Sequence, residues 1–191
     1  MCLIINTLVL RNMDLIYLSL GTNLGRRELH LQEAVKLIQS RIGKPERVSR
    51  YYESEPWGFS SAHSFYNCCL SLKTTMAPLL LMDELLAIEK EMGRQREKMD
   101  EKRGEKGYSD RIIDIDLLFY GDCQMDHPGL TLPHPSLEDR RFVLFPLAEI
   151  APDFIHPVSG MSMELMLQQC KDKSVVVPVQ DLFKRSSSQN I

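Results

Sequence analysis

The sequence is short of the features that mark secreted, membrane-spanning or nucleic-acid-binding chains. Its five cysteines, Cys2, Cys68, Cys69, Cys123 and Cys170, are odd in number and form no CxxC pair. That argues against a disulfide framework and against a thiolate zinc site, and predicts reduced thiols in a cytoplasmic protein. No apolar run is long enough to span a bilayer. The apolar start lacks the cationic front and small-residue cleavage site of a signal peptide. Positive charge is not in excess, since the formal net charge is −3, so the basic footprint of a duplex-binding protein is missing. An anionic ligand would have to be held by a local cluster of cations or metal. No internal repeat is found.

What is present is an ordinary globular balance: 191 residues, 43% hydrophobic and 26% charged, enough apolar mass for one core. Met13 is followed at once by a β-rich stretch. Residues 1–12 are therefore expected to be an N-terminal extension, residues 13–182 a single domain, and the polar residues 183–191 a disordered tail.

Residues 16–20 predict a strand that runs into the turn cluster Gly21-Thr22-Asn23-Leu24-Gly25. Leu31, Ala34, Val35, Ile38 and Ile42 fall on one helical face, and Gly43 is a stop signal. Residues 48–52 read as a second strand, 53–61 as a loop and 65–72 as a third strand. Pro78 opens a helix whose stripe is Leu81, Leu85, Ile88 and Met92, closed by Gly93. Residues 94–110 are dense in charge and read as a long mobile loop. Residues 112–120 predict a strong strand, 130–132 a short one and 142–150 a helix. The β-α-β-β-α-β order suggests an α+β, ferredoxin-like sandwich with an antiparallel sheet. Because that fold hosts many activities, function has to come from particular residues.

The most informative segment is Arg111-Ile112-Ile113-Asp114-Ile115-Asp116-Leu117-Leu118. On a strand, Asp114 and Asp116 share a face while Ile113, Ile115 and Leu117 point to a core. Two carboxylates at this spacing in an apolar strand repel each other and lose hydration. A hard divalent cation relieves both costs, and oxygen ligands suit Mg²⁺. The plain alternative is a solvated sheet face bearing two exposed aspartates. Leu118 and Tyr120, expected on the same face, weigh against it.

Arg94, Arg96, Arg103 and Arg111 lie in or beside the charged stretch. Planar guanidinium groups suit polyphosphate, and a mobile cationic loop can exclude water; a mixed charge run is equally a solvated loop. Phe65 and Asn67 share a strand face, as a stacking ring and edge-reading amide would, or as core and strand-end residues do. His134, between two prolines, reads either as a phosphate donor or as a surface histidine.

Taken in order, these segments resemble the 6-hydroxymethyl-7,8-dihydropterin pyrophosphokinase family over residues 16–157. The motifs are Gly21-Thr22-Asn23-Leu24-Gly25, Tyr51-Tyr52-Glu53-Ser54-Glu55-Pro56-Trp57-Gly58, Phe65-Tyr66-Asn67, residues 89–96, Arg111-Ile112-Ile113-Asp114-Ile115-Asp116, Pro133-His134-Pro135 and Arg140-Arg141-Phe142. The resemblance implies an enzyme that moves diphosphate from ATP to the pterin hydroxymethyl group, with AMP leaving. It implies two Mg²⁺ on Asp114 and Asp116, and ATP contacts from Glu89, Arg94, Arg96, Arg111, His134 and Arg140. Arg94, Arg111, Asp114 and Asp116 would carry catalysis. Phe65 and Phe142 would enclose the pterin ring, with Asn67, Ser54, Glu55 and Trp57 at its edge. The implied partners are small molecules, with no nucleic acid and no membrane, and the chain is expected to be a cytoplasmic monomer. Either Asp116 would take the proton of the attacking hydroxyl, or a metal would acidify that hydroxyl. Ser109-Asp110 departs from the family, which often carries Gly or Ala and then Pro there. Rival readings are a metal-dependent phosphohydrolase or nuclease, and a ferredoxin-like nucleic-acid module; the Gly and aromatic pattern of the latter is missing.

Overall fold

The computed structural model describes residues 13–94 and 109–179. In chain order its elements are β1 (Asp14–Thr22), α1 (Arg27–Arg41), β2 (Pro45–Val48), β3 (Tyr52–Ser54), β4 (Phe65–Thr74), α2 (Pro78–Glu91), β5 (Asp114–Tyr120), β6 (Met125–His127), β7 (Leu130–Leu132), α3 (Arg141–Ile150), α4 (Met163–Gln169) and β8 (Val176–Pro178). The main sheet runs β5-β1-β4-β3-β8, with β2 also on β4, and β6 and β7 form a separate hairpin. All of these pairings are antiparallel. The architecture is α+β, a sheet flanked by helices.

Strand alternation divides the sheet into two unlike faces. Ile16, Leu18 and Leu20 of β1, Leu70 and Leu72 of β4, and Ile115 and Leu117 of β5 are buried together. The helical stripes Leu31, Ala34 and Ile38 of α1 and Leu81, Leu85 and Ile88 of α2 cover them. Each such leucine or isoleucine contributes about 1.5–3 kcal/mol relative to an exposed one. Both predicted helix stops hold. A Cβ on Gly43 would sit 3.0 Å from the backbone oxygen of Lys73, so a larger residue would push α1 and β4 apart by a few tenths of an ångström.

On the other face Tyr17, Cys69, Leu118 and Phe119 pack against Val143, Leu144 and Leu147 of α3 and Met163 and Met166 of α4. This second helical layer covers only part of the sheet. Further along β1 the same face carries Ser19 and Gly21, which line an open cleft. The N-terminus of α3 is held from a distance: Arg141 N donates to Asp172 Oδ2 at 3.2 Å. Pro146 lies within α3 and has no N–H to offer the carbonyl of Phe142.

Several expectations are corrected. Residues 48–52 are not one strand: Val48 pairs with Leu70 and Tyr52 with Asn67, four steps against three, so one extra residue breaks the ladder. Glu53 and Ser54, expected in a loop, belong to β3. A register shift between Tyr17 and Leu18 places Leu117 and Phe119 opposite them, leaving Leu118 as an extra residue. Beyond this bulge the alternation changes phase, so Tyr120 joins the α1/α2 core and not the aspartate face. β6, α4 and β8 were not anticipated. The extension 1–12, the tail 183–191, and Arg96, Arg103 and the rest of 95–108 lie outside the described residues; Arg94 and Asp110, at the ends of that stretch, are held by the contacts given below.

Candidate active site

The cleft opens on the sheet face that α3 and α4 leave uncovered, and it encloses about 460 Å³, counting the part open to solvent. Asp114 and Asp116 form one wall. Both stand on β5 opposite Gly21 and Ser19 of β1, where small residues leave room above the carboxylates. Phe65 and Asn67 enter from β4, Ser54 and Glu55 from the end of β3, Trp57 from the loop beyond it, and Arg140 and Phe142 from the start of α3.

The cations are placed by backbone devices. α2 ends with Gly93 at φ 94°, a left-handed conformation suited to glycine. Gly93 N donates to Lys90 O and Arg94 N to Glu89 O, both at 3.0 Å, a Schellman pairing that sets Arg94 directly over Glu89. The Arg94 guanidinium then bonds both Glu89 Oε1 and Asp114 Oδ1. Glu89, 1% exposed, also accepts from Ile115 N at 2.8 Å, tying α2 to the strand that carries the aspartates. Arg111 Nη1 lies 3.2 Å from Asp114 Oδ2, with its Cζ 5.3 Å from the Phe65 ring centroid.

Asp116 meets Arg140 Nη1 at 3.1 Å and His134 Nε2 at 3.8 Å, both on Oδ2. His134 follows a cis Leu132–Pro133 bond. Its backbone N donates to Leu118 O at 3.0 Å, and its Nδ1 accepts from Ser136 N at 3.3 Å, which leaves Nε2 as the nitrogen that carries the proton toward Asp116. Burial first and the Asp114 charge second push the Asp116 carboxyl from 3.8 up to about 6.

At the other end of the cleft the groups suit a flat polar heterocycle. Asn67, 1% exposed, donates through Nδ2 to Ser54 Oγ at 2.9 Å, so its oxygen is turned to a fixed direction. Trp57 and Phe142 have ring centroids 6.4 Å apart, Phe59 meets Phe65 edge-on at 6.1 Å, and Arg140 Cζ lies 5.1 Å from the Trp57 ring.

The structure thus brings Ser54, Glu55, Trp57, Phe65, Asn67, Arg111, Asp114, Asp116, Arg140 and Phe142 to one cleft, with Glu89, Arg94 and His134 bonded or close to its carboxylates. Arg96 lies outside the described residues. Sequence reasoning overlooked Ser19 and Gly21 as lining residues, because their place depends on the cross-strand register. It also overlooked Asn23, whose amide bonds Asp110 and Arg111. Among the described residues no group of three or more His, Cys, Asp and Glu side chains could hold a metal ion, and no helix is long and apolar enough to cross a membrane. Two carboxylates alone fit a cation that takes its remaining ligands from water and phosphate oxygens, as Mg²⁺ commonly does.

A family model described as 7,8-dihydro-6-hydroxymethylpterin-pyrophosphokinase matches residues 17–152. A 2-amino-4-hydroxy-6-hydroxymethyldihydropteridine pyrophosphokinase of Porphyromonas gingivalis is 41% identical over 76% of this chain and 95% of its own length. The folic acid synthesis protein fol1 of Pneumocystis carinii is 35% identical over 91% of this chain, which spans only 22% of that longer protein. Among solved structures, the wild-type HPPK-DHPS of Plasmodium falciparum with pteroate superposes with a TM-score of 0.66 at 16% identity, over 83% of this chain and 44% of that one. At that identity the likeness concerns the fold alone.

Proposed function

The chain belongs to the 7,8-dihydro-6-hydroxymethylpterin-pyrophosphokinase family, and from that premise we propose that it transfers diphosphate from ATP to the hydroxymethyl group of 6-hydroxymethyl-7,8-dihydropterin, a step of folate biosynthesis that releases AMP. The observation that carries the reading is one cleft that joins a ring-and-amide end to a carboxylate pair ringed by cations.

Phe65, Phe142 and Trp57 hold the pterin ring, while Asn67, Ser54 and the backbone at Glu55 read its edge. Asp114 and Asp116 would hold two magnesium ions, which would supply positive charge to the phosphates. Arg94 and Arg111 turn from Asp114 to the phosphate oxygens, and Arg140, His134 and Arg96 grip the nucleotide. Glu89 keeps Arg94 over the strand. The pterin hydroxyl attacks the β-phosphorus, the bond from that phosphorus to the α-phosphate oxygen breaks, and AMP leaves with the electron pair. Asp116 is assigned to take the hydroxyl proton. Most of the barrier reduction comes from positioning and from preorganised charge. The strand order β5-β1-β4 with β2 and β3 beyond, crossed by α1 and α2, supports a ferredoxin-like reading. Residues 13–182 are taken as one folding unit of a cytoplasmic, monomeric enzyme.

Purified protein incubated with ATP, Mg²⁺ and the hydroxymethyl-dihydropterin should form AMP, resolved by chromatography, only when the pterin is present and not in EDTA. ADP or free phosphate as the product would point to a kinase or hydrolase and overturn the proposal.

A further inference from the structure

Asn23, just beyond β1, joins the loop at His63 to Asp110 and Arg111, the last of which lines the cleft. It is 3% exposed. Its Oδ1 accepts from Arg111 N at 2.8 Å, and its own backbone N donates to Arg111 O at 3.2 Å. Its Nδ2 donates to Asp110 Oδ1 at 2.6 Å and to His63 O at 3.4 Å. An ionised carboxylate only accepts, so Asp110 tolerates only the NH₂ end of the amide. The oxygen end must then face Arg111 N. With the amide turned over, N–H would face N–H and oxygen would face oxygen. Asp110 reinforces the orientation that His63 O and Arg111 N also require of Asn23, by the shortest of the amide's bonds, and Asn23 in turn holds the Arg111 backbone.

The same carboxylate reaches the pterin side. The neighbouring Ser61 hydroxyl and the Asn23 amide hold it below the usual carboxylate range. Ser61 and His63 lie in the loop that carries Glu55 and Trp57 into the cleft. Arg111 leaves the junction in the other direction, toward Asp114 at 3.2 Å.

We propose that Asp110 is a positioning residue of this enzyme: through Asn23 it fixes Arg111 on the phosphate side of the cleft and fastens it to the Ser61–His63 loop on the pterin side. The role rests on the phosphate-binding assignment of Arg111 made above. A single charge-assisted bond of this kind is worth about tenfold in an equilibrium constant.

The test is a double-mutant cycle on the full chain: wild type, Asp110→Ala, Arg111→Ala and the double variant. Two readouts are taken, the affinity for α,β-methylene-ATP with Mg²⁺ by calorimetry, and kcat/KM for AMP release. In the wild-type background Asp110→Ala should weaken nucleotide binding and lower kcat/KM by about tenfold. In the Arg111→Ala background it should change nucleotide affinity by less than about twofold. Asp110→Asn, which keeps an acceptor oxygen, should recover most of the loss. The same factor in both backgrounds, or no effect in the first, overturns the proposal. If Asp110→Ala fails to fold, Asp110→Asn and Ser61→Ala enter the same cycle with smaller losses expected on the same terms, and additivity with Arg111→Ala again overturns it. Absence of AMP from the wild type would refute the pyrophosphokinase reading, while the nucleotide-affinity cycle would still judge the role of Asp110.

Discussion

Replacing Glu89 with alanine removes a carboxylate that is 1% exposed and that serves α2 and β5 at once. Ile115 N would lose its acceptor at 2.8 Å inside a buried strand, a loss of about 1–3 kcal/mol. The deleted side-chain atoms leave a small cavity that adds about 1 kcal/mol. Arg94 would keep Asp114, so the full 3–5 kcal/mol typical of a stranded buried charge does not apply. The sum is about 3 kcal/mol, a large share of the roughly 5–15 kcal/mol of a typical domain. Glu89→Gln keeps an oxygen for Ile115 N and loses only the charge, so about 1 kcal/mol is expected. Urea unfolding of the metal-free protein, followed by circular dichroism, measures both variants. In the glutamine variant Arg94 should lean more heavily on Asp114, and half-maximal activity should require more Mg²⁺. If Glu89→Ala moves the unfolding free energy by less than about 0.5 kcal/mol, or if glutamine is as damaging as alanine, the account of Glu89 as a hydrogen-bonded strut is refuted.

Three other expectations follow from the site. Folded Asp116 holds its proton up to about 6 against 3.8 ordinarily, so its contribution favours the folded state fully below the unfolded value and is lost as pH rises through about 6; in EDTA, Asp116→Asn should raise Tm more at about pH 7.5 than at about pH 4.5, and an equal shift at both would contradict the reading. A Cβ on Gly21 would lie 3.1 Å from Asn67 Oδ1, and Asn67 is held by Ser54, so Gly21→Ala should weaken pterin binding severalfold in a fluorescence titration and leave nucleotide affinity nearly intact; equal effects on both ligands would count against it. Phe142→Ala should mainly lower pterin affinity, by about tenfold for a lost ring contact, and an unchanged affinity would remove Phe142 from the ring-binding end.

The long elements were legible because they repeat a pattern. α1 and α2 show their stripes and their glycine stops, and β1, β4 and β5 are apolar enough to stand out. β8 has three residues ending in Pro178 and α4 has seven, too few for a period to emerge. The break between β2 and β3 and the bulge at Leu118 are properties of paired strands, so a single chain read alone hides them, and Tyr120 was assigned to the wrong face for that reason. Within the site, Asp114 and Asp116 were legible from alternation alone. Ser19 and Gly21 become neighbours of these aspartates only through the β1–β5 register. The bonds of Asn23 span 87 and 88 residues, a distance across which local spacing carries no information.

The bulge at Leu118 also bears on how this strand can change length during descent. The aspartates lie on one side of the extra residue, and Phe119 and Tyr120 on the other. Losing the extra residue at the bulge would restore a regular ladder, with Phe119 still opposite Tyr17, Tyr120 still opposite Ile16 and the carboxylates unmoved. Losing Ile115, between the aspartates, would instead turn one carboxylate toward the α1/α2 core. Insertions and deletions that survive in relatives should therefore cluster at or after Leu118 and be absent between Asp114 and Asp116, a pattern of tolerated length variation that needs no assay to read.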